Sequence, residues 1–189
     1  MRSSFLLSIP LFAACISTPA GPPETVAGEI LAALEAGESA KADKLFKPVA
    51  RKEEYRQKIY PTLYGAAQDR YDRDDIDGSV DILRFLGEHY PDATAVREAL
   101  VYGLFLQRST LDEADPDLSA EIDGSLAKVR AKTATPPVWF DLVETQQEID
   151  RGRLVEARAA YERFRSNWEG TPDSLWVYVD DLERYLASH

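Results

Sequence analysis

The chain has 189 residues, with 33 Asp and Glu against 22 Lys and Arg, and a formal net charge of -11 at neutral pH. That length holds one domain with a real hydrophobic core, and so acidic a surface is repelled by nucleic acid and by anionic lipid. One Cys and two His exclude an internal disulfide framework and a conventional Cys/His zinc site, which leaves the acidity to serve solubility or to meet a basic patch on a partner.

Residues 1–14 open with Met-Arg-Ser-Ser and continue as an apolar run of about ten residues, too short to span a bilayer and fitting the hydrophobic region of a signal peptide. The run ends in Phe12-Ala13-Ala14-Cys15, which resembles the bacterial lipobox, although the first position there is most often Leu. The resemblance implies cleavage before Cys15 and lipid on its thiol. Two other readings stand beside it: a secretory leader cut near Thr18-Pro19-Ala20, and a buried N-terminal helix with an inert cysteine. Prolines crowd the first cleavage site, and Pro10 would interrupt the second. Residues 15–23 have the composition of a short, partly extended tether. Ile16 is not the Asp that resembles an inner-membrane retention signal, so the resemblance implies the outer membrane and its periplasmic face, held stably by acyl chains.

From residue 24 to residue 189 the apolar positions fall three and four apart, the period of a helix. Breakers divide the chain into pairs. Residues 24–36 and 39–50 form the first, parted by Gly37. Residues 51–71 and 76–90 form the second, with an Asp-rich turn between them and Pro91 closing it. Residues 94–108 and 116–132 form the third, ended by Pro136-Pro137. Residues 138–150 and 154–168 form the fourth, and residues 172–187 make a last single helix. The segment from Leu175 to Leu186 is amphipathic, as expected of a helix that covers the exposed end of a stacked array; a docking helix for a partner is the alternative.

A period of roughly 40 residues belongs to solenoids. The stretch from Gly152 through Ala157 and Tyr161 to Phe164 resembles the second half of a tetratricopeptide repeat. There a Gly closes the first helix, a small residue permits close crossing and aromatics fill the groove. Asp75 to Leu86, closed by Tyr90-Pro91-Asp92, matches it in register, and Gly37 to Phe46 is a weaker echo. Ala42, Ser79 and Ala157 mark the phase at spacings of 37 and 78 residues, the latter two steps of 39, so about four helix pairs are implied. The Trp-Leu-Gly-Tyr spacing of the family's first helix is missing. The expected fold is all-α: a right-handed, tetratricopeptide-like helix-hairpin solenoid with a C-terminal capping helix, and a plain helical bundle is the rival.

Alternating carboxylates from Asp69 to Asp77 before Gly78 invite a calcium loop, but Arg73 and Arg84 would stand at its first and twelfth positions. A solvated turn with Asp74 or Asp75 capping the next helix fits better. No phosphate loop, nucleophile elbow, Cys/His pair or His-Glu metal helix is present. His89 reads as a cap or surface residue, and no cofactor or metal is expected. Carboxylate pairs are too common to single one out.

Tyr and Trp are the residues that anchor peptide partners, and Tyr occurs nine times. In repeats of the resembled family the first helix of each pair lines a concave groove, which puts Tyr64, Gln68, Tyr102, Phe105, Leu142 and Gln146 on or near it. Any one of these, and Trp139, Trp168 and Trp176, fits inter-helix packing as well. The expectation is an outer-membrane lipoprotein whose periplasmic helical body is a non-catalytic adaptor or assembly factor for another envelope protein or peptide. Membership of an outer-membrane protein assembly machine, glycan binding, and carboxylate-dependent glycan cleavage are the alternatives.

Overall fold

The computed structural model describes residues 21–168 and 176–189. Cys15, the lipobox and residues 172–175 of the expected last helix lie outside them. Among the described residues the chain is all-helical, and no helix is long and apolar enough to cross a membrane. The elements are α1 (Pro23–Glu35), α2 (Ser39–Phe46), α3 (Glu53–Tyr71), α4 (Ile76–His89), α5 (Thr94–Ser109), α6 (Pro116–Arg130), α7 (Trp139–Asp150), α8 (Leu154–Asn167) and α9 (Trp176–Ser188).

Most boundaries fall within two residues of those the breakers predict. The exception is α2, expected to run to residue 50. It stops at Phe46 because Pro48 has no N–H to continue the ladder, and the chain goes on in a tight turn closed by Val49 N–H to the Phe46 carbonyl at 2.9 Å.

Three of the inter-helix turns are built alike. After α1, Gly37 takes φ +71°, its N–H bonds the Leu34 carbonyl and the Glu38 N–H bonds the Ala33 carbonyl. After α7, Gly152 at φ +69° repeats the arrangement with the carbonyls of Ile149 and Glu148. These are left-handed helix ends in which the last carbonyls find donors across the turn. After α3 the same place is taken by Asp74 at φ 62°, with Asp74 and Asp75 N–H groups on the Tyr71 and Arg70 carbonyls. Asp tolerates this conformation better than most residues with a Cβ. Asp75 then caps α4, its carboxylate accepting from Gly78 N–H at 3.0 Å, so the Asp-rich tract is an inter-helix turn.

Five residues after each left-handed position stand Ala42, Ser79 and Ala157, all buried. Phe46, Leu83 and Tyr161 follow one helical turn later, and Val49, Leu86 and Phe164 another turn on, again all buried. The α5–α6 pair departs from this scheme: its connection is longer, and Asp115 caps α6 through the N–H groups of Asp117 and Leu118 with Pro116 in the first turn.

In the packing, α1 lies against α2, α3 and α4; α3 and α5 both pack on α4; α6 packs on α5; and α7 packs on α8 and α9. On α9, Val179, Leu182 and Leu186 are buried and Tyr178 stands edge-on to Phe105 at 5.2 Å. Val177 and Tyr185 of the same helix remain exposed.

The join between α5 and α7 is polar. Arg108 donates through Nε and Nη2 to the two carboxylate oxygens of Asp150, each at 2.6 Å, and through Nη1 to the Leu111 carbonyl at 2.9 Å. The two side chains are only 9% and 5% exposed. Tyr102 and Trp139 meet further back on the same two helices, edge to face at 5.6 Å. The two contacts come in the same order along both elements, so α5 and α7 run in the same sense.

Removing one partner of a buried pair leaves the other charge without compensation. The substitution Arg108→Met is expected to lower the unfolding free energy by about 3–5 kcal/mol, read from urea denaturation. Arg108→Met combined with Asp150→Leu should recover most of that loss. Equal losses in the single and double variants would show that the pair is not what joins the helices.

Candidate functional site

A cavity of about 720 Å³ opens where α3 and α5, both seated on α4, diverge from each other. The volume lies within the roughly 300–1,000 Å³ of ligand pockets. Its inner wall combines short side chains, Ala67 from α3, Ser79 from α4 and Ala99 from α5, with Leu83 of α4. Its rim is aromatic, with Tyr64 and Tyr71 from α3, Tyr102 from α5 and Trp139 from the start of α7. Small residues leave the space, and large rings border it.

The rings are mutually inclined. Tyr71 and Tyr102 lie at 5.8 Å and 52°, Tyr102 and Trp139 at 5.6 Å and 78°, and the Tyr71 hydroxyl donates to that of Tyr102 at 3.3 Å. Tyr64 extends the border by stacking on Tyr60 at 5.8 Å and 5°. Burial, reinforced by the Tyr102 hydroxyl, pushes the Tyr71 phenol up to about 12, so it stays neutral through the physiological range. Charge at the cavity comes instead from Asp69, Asp72 and Glu98.

Of the residues expected to form a groove, Tyr64, Gln68 and Tyr102 line this cavity. Phe105 and Leu142 are buried, at 2% and 1% exposure, and belong to the core. Gln146 is half-buried, and its side-chain amide donates to Asp150 at 2.7 Å, which steadies the pair with Arg108. Tyr71 and Trp139 complete the rim. Tyr71 lies at the last helical position of α3, one residue before the Asp-rich turn, where periodicity is weakest as a guide. Trp168 stacks on Phe164 at 5.5 Å, away from the cavity lining.

His89 is half-buried. Its ring sits between Phe46 and Phe85, with centroids 4.6 and 4.4 Å away, and Nε2 contacts Asp43 Oδ1 at 2.8 Å. Glu88 brings a further carboxylate within 4.8 Å, the one grouping of metal-ligating side chains among the described residues. A cation held there would displace the contact between His89 and Asp43, which already ties α2 to the end of α4.

No protein-family model, curated protein or solved structure matches the chain.

The floor of the cavity depends on how closely α5 approaches α4. Gly103, next to Tyr102, allows that approach, because a Cβ there would lie 2.7 Å from Val80 Cγ2. In an exposed helix Gly→Ala gains about 1 kcal/mol. Here Gly103→Ala is expected to destabilise by about 1–3 kcal/mol through overpacking, and Gly103→Ala with Val80→Ala should be milder than the sum of the two single changes. Chemical denaturation of the four-member cycle measures the coupling; strict additivity would mean that the helices separate freely at this point.

Proposed function

We propose that this chain is the body of an outer-membrane lipoprotein, lipidated on Cys15 and facing the periplasm, and that it works as a non-catalytic adaptor for another envelope protein. The observation that carries the adaptor reading is the cavity bordered by Tyr64, Tyr71, Tyr102 and Trp139. Amphipathic rings around a concave, partly apolar space are what anchoring residues of a partner bury into.

Its architecture, on this reading, is a degenerate tetratricopeptide-like solenoid of helix hairpins. Three turns with the same left-handed geometry, each followed at the same interval by a buried small residue, support it, as does the parallel run of α5 and α7. The cavity then occupies the place of the concave groove, between first helices of successive pairs.

Two experiments test the proposal. Cys15→Ser should leave the protein unlipidated, seen as a mass lower by the acyl chains, and move it out of the membrane fraction; full processing and attachment of the variant would overturn the lipoprotein reading. A photo-crosslinking amino acid at Gln68 should give a discrete adduct in intact cells, and the same probe at Glu162, exposed on α8 and outside the cavity lining, should not. Identical adducts from both positions, or none from either, would overturn the adaptor reading.

A further inference from the structure

The cavity lining carries three carboxylates, Asp69, Asp72 and Glu98. Across the fold, charge is used to tie helices together: Arg84 grips Glu121 with two bonds of 2.7 Å, Lys58 meets Glu24 at 2.9 Å, and Arg130 and Arg163 both reach Glu144. Asp69, Asp72 and Glu98 take part in no ion pair or side-chain hydrogen bond among the described residues. Among the described residues that line the cavity there is no Lys, Arg or His. Three carboxylates thus line the same concavity as four aromatic rings, and no described cation lines it with them.

We infer that the cavity selects a cationic side chain, arginine or lysine, from the segment of a partner protein that enters it. The inference rests on the adaptor reading and names what the groove recognises. Inclined rings offer a cation more than one π face, and Arg is the stronger candidate because its planar guanidinium stacks on rings while its N–H groups bond carboxylates. Ala67, Ala95 and Ala99 leave room for the aliphatic stem. An acidic or phosphorylated segment would meet three uncompensated carboxylates and be refused. The overall charge of -11 attracts any cation weakly, so the test separates local recognition from diffuse attraction.

The full chain is titrated, with fluorescence anisotropy as readout, against fluorescein-labelled nonapeptide pools randomised except for a central arginine, citrulline or glutamate. Citrulline keeps the shape of arginine and removes its charge. The arginine pool should bind, with the citrulline pool weaker by about tenfold or more and the glutamate pool weaker still. The combined variant Asp69→Asn, Asp72→Asn, Glu98→Gln should bring the arginine pool down to the citrulline level. Glu29→Gln, Glu156→Gln and Glu162→Gln together, which remove the same charge from exposed positions outside the lining, should leave binding within about twofold. Equal losses in the two triple variants would overturn the inference in favour of bulk attraction. Equal binding of arginine and citrulline pools would overturn it while leaving the cavity a peptide site. If none of the pools binds, the inference falls, and the crosslink at Gln68 decides separately whether the adaptor reading stands.

Discussion

Asp150 is the last residue of α7, where the helix dipole already carries negative charge and a carboxylate is disfavoured. It is also almost fully buried. Such a group persists only when donors surround it, and here Arg108 supplies a two-pronged contact while Gln146 supplies a third bond from one turn earlier. Arg108 in turn stands near the end of α5, where a cation is favoured, and its remaining nitrogen satisfies the Leu111 carbonyl. Each guanidinium nitrogen of Arg108 and both carboxylate oxygens of Asp150 make at least one of these bonds, so the charges can stay out of water. The geometry this demands fixes α7 alongside α5 more sharply than apolar packing would, since oily surfaces tolerate small slides and a two-pronged ion pair does not.

The rest of α7 is held by its charges as well. Arg130 from α6 and Arg163 from α8 converge on Asp141 and Glu144, while Arg151 reaches back to Asp123 of α6. The contacts around Glu144 hold its carboxyl below the ordinary range against the opposing effect of burial. Most of these pairs are half-exposed and each adds little stability alone. Their collective effect is one of register, because they set the rotation and height of a helix whose first residue, Trp139, is part of the cavity rim.

How far this was legible in the sequence follows from the range of each signal. Helix existence and most boundaries depend on neighbours three and four residues away and on Gly and Pro, all visible in one window; even the α2 end was marked by Pro48. The register of Ala42, Ser79 and Ala157 was visible too, and the turns that precede them share one geometry. Asp74 shows the limit of reading by residue type, since it holds the left-handed place that Gly37 and Gly152 hold elsewhere. Which of the candidate residues border open space was only partly legible. Tyr64, Gln68 and Tyr102 line the cavity while Phe105 and Leu142 are core, because an apolar period marks a buried face without saying whether protein or solvent-filled space lies opposite. The ion pair between Arg108 and Asp150 spans 42 residues and leaves no local trace.

The join and the cavity are consequently one mechanical unit. Trp139 borders the site because α7 begins there, and α7 begins there because its other end is fixed to α5 by Arg108. Tyr102 faces Trp139 from the same α5, six residues before Arg108, so a shift at the pair would be carried to the rim through two helices. A cavity opened only by the divergence of α3 and α5 would have two walls and no end. With α4 as the floor, α7 is the fourth element; it closes the cavity on one side and adds the largest ring, and its placement rests on the ion pairs together with its packing on α8. Asp69, Asp72 and Glu98 border the same cavity without an ion pair among the described residues, so their charge is left for whatever enters it.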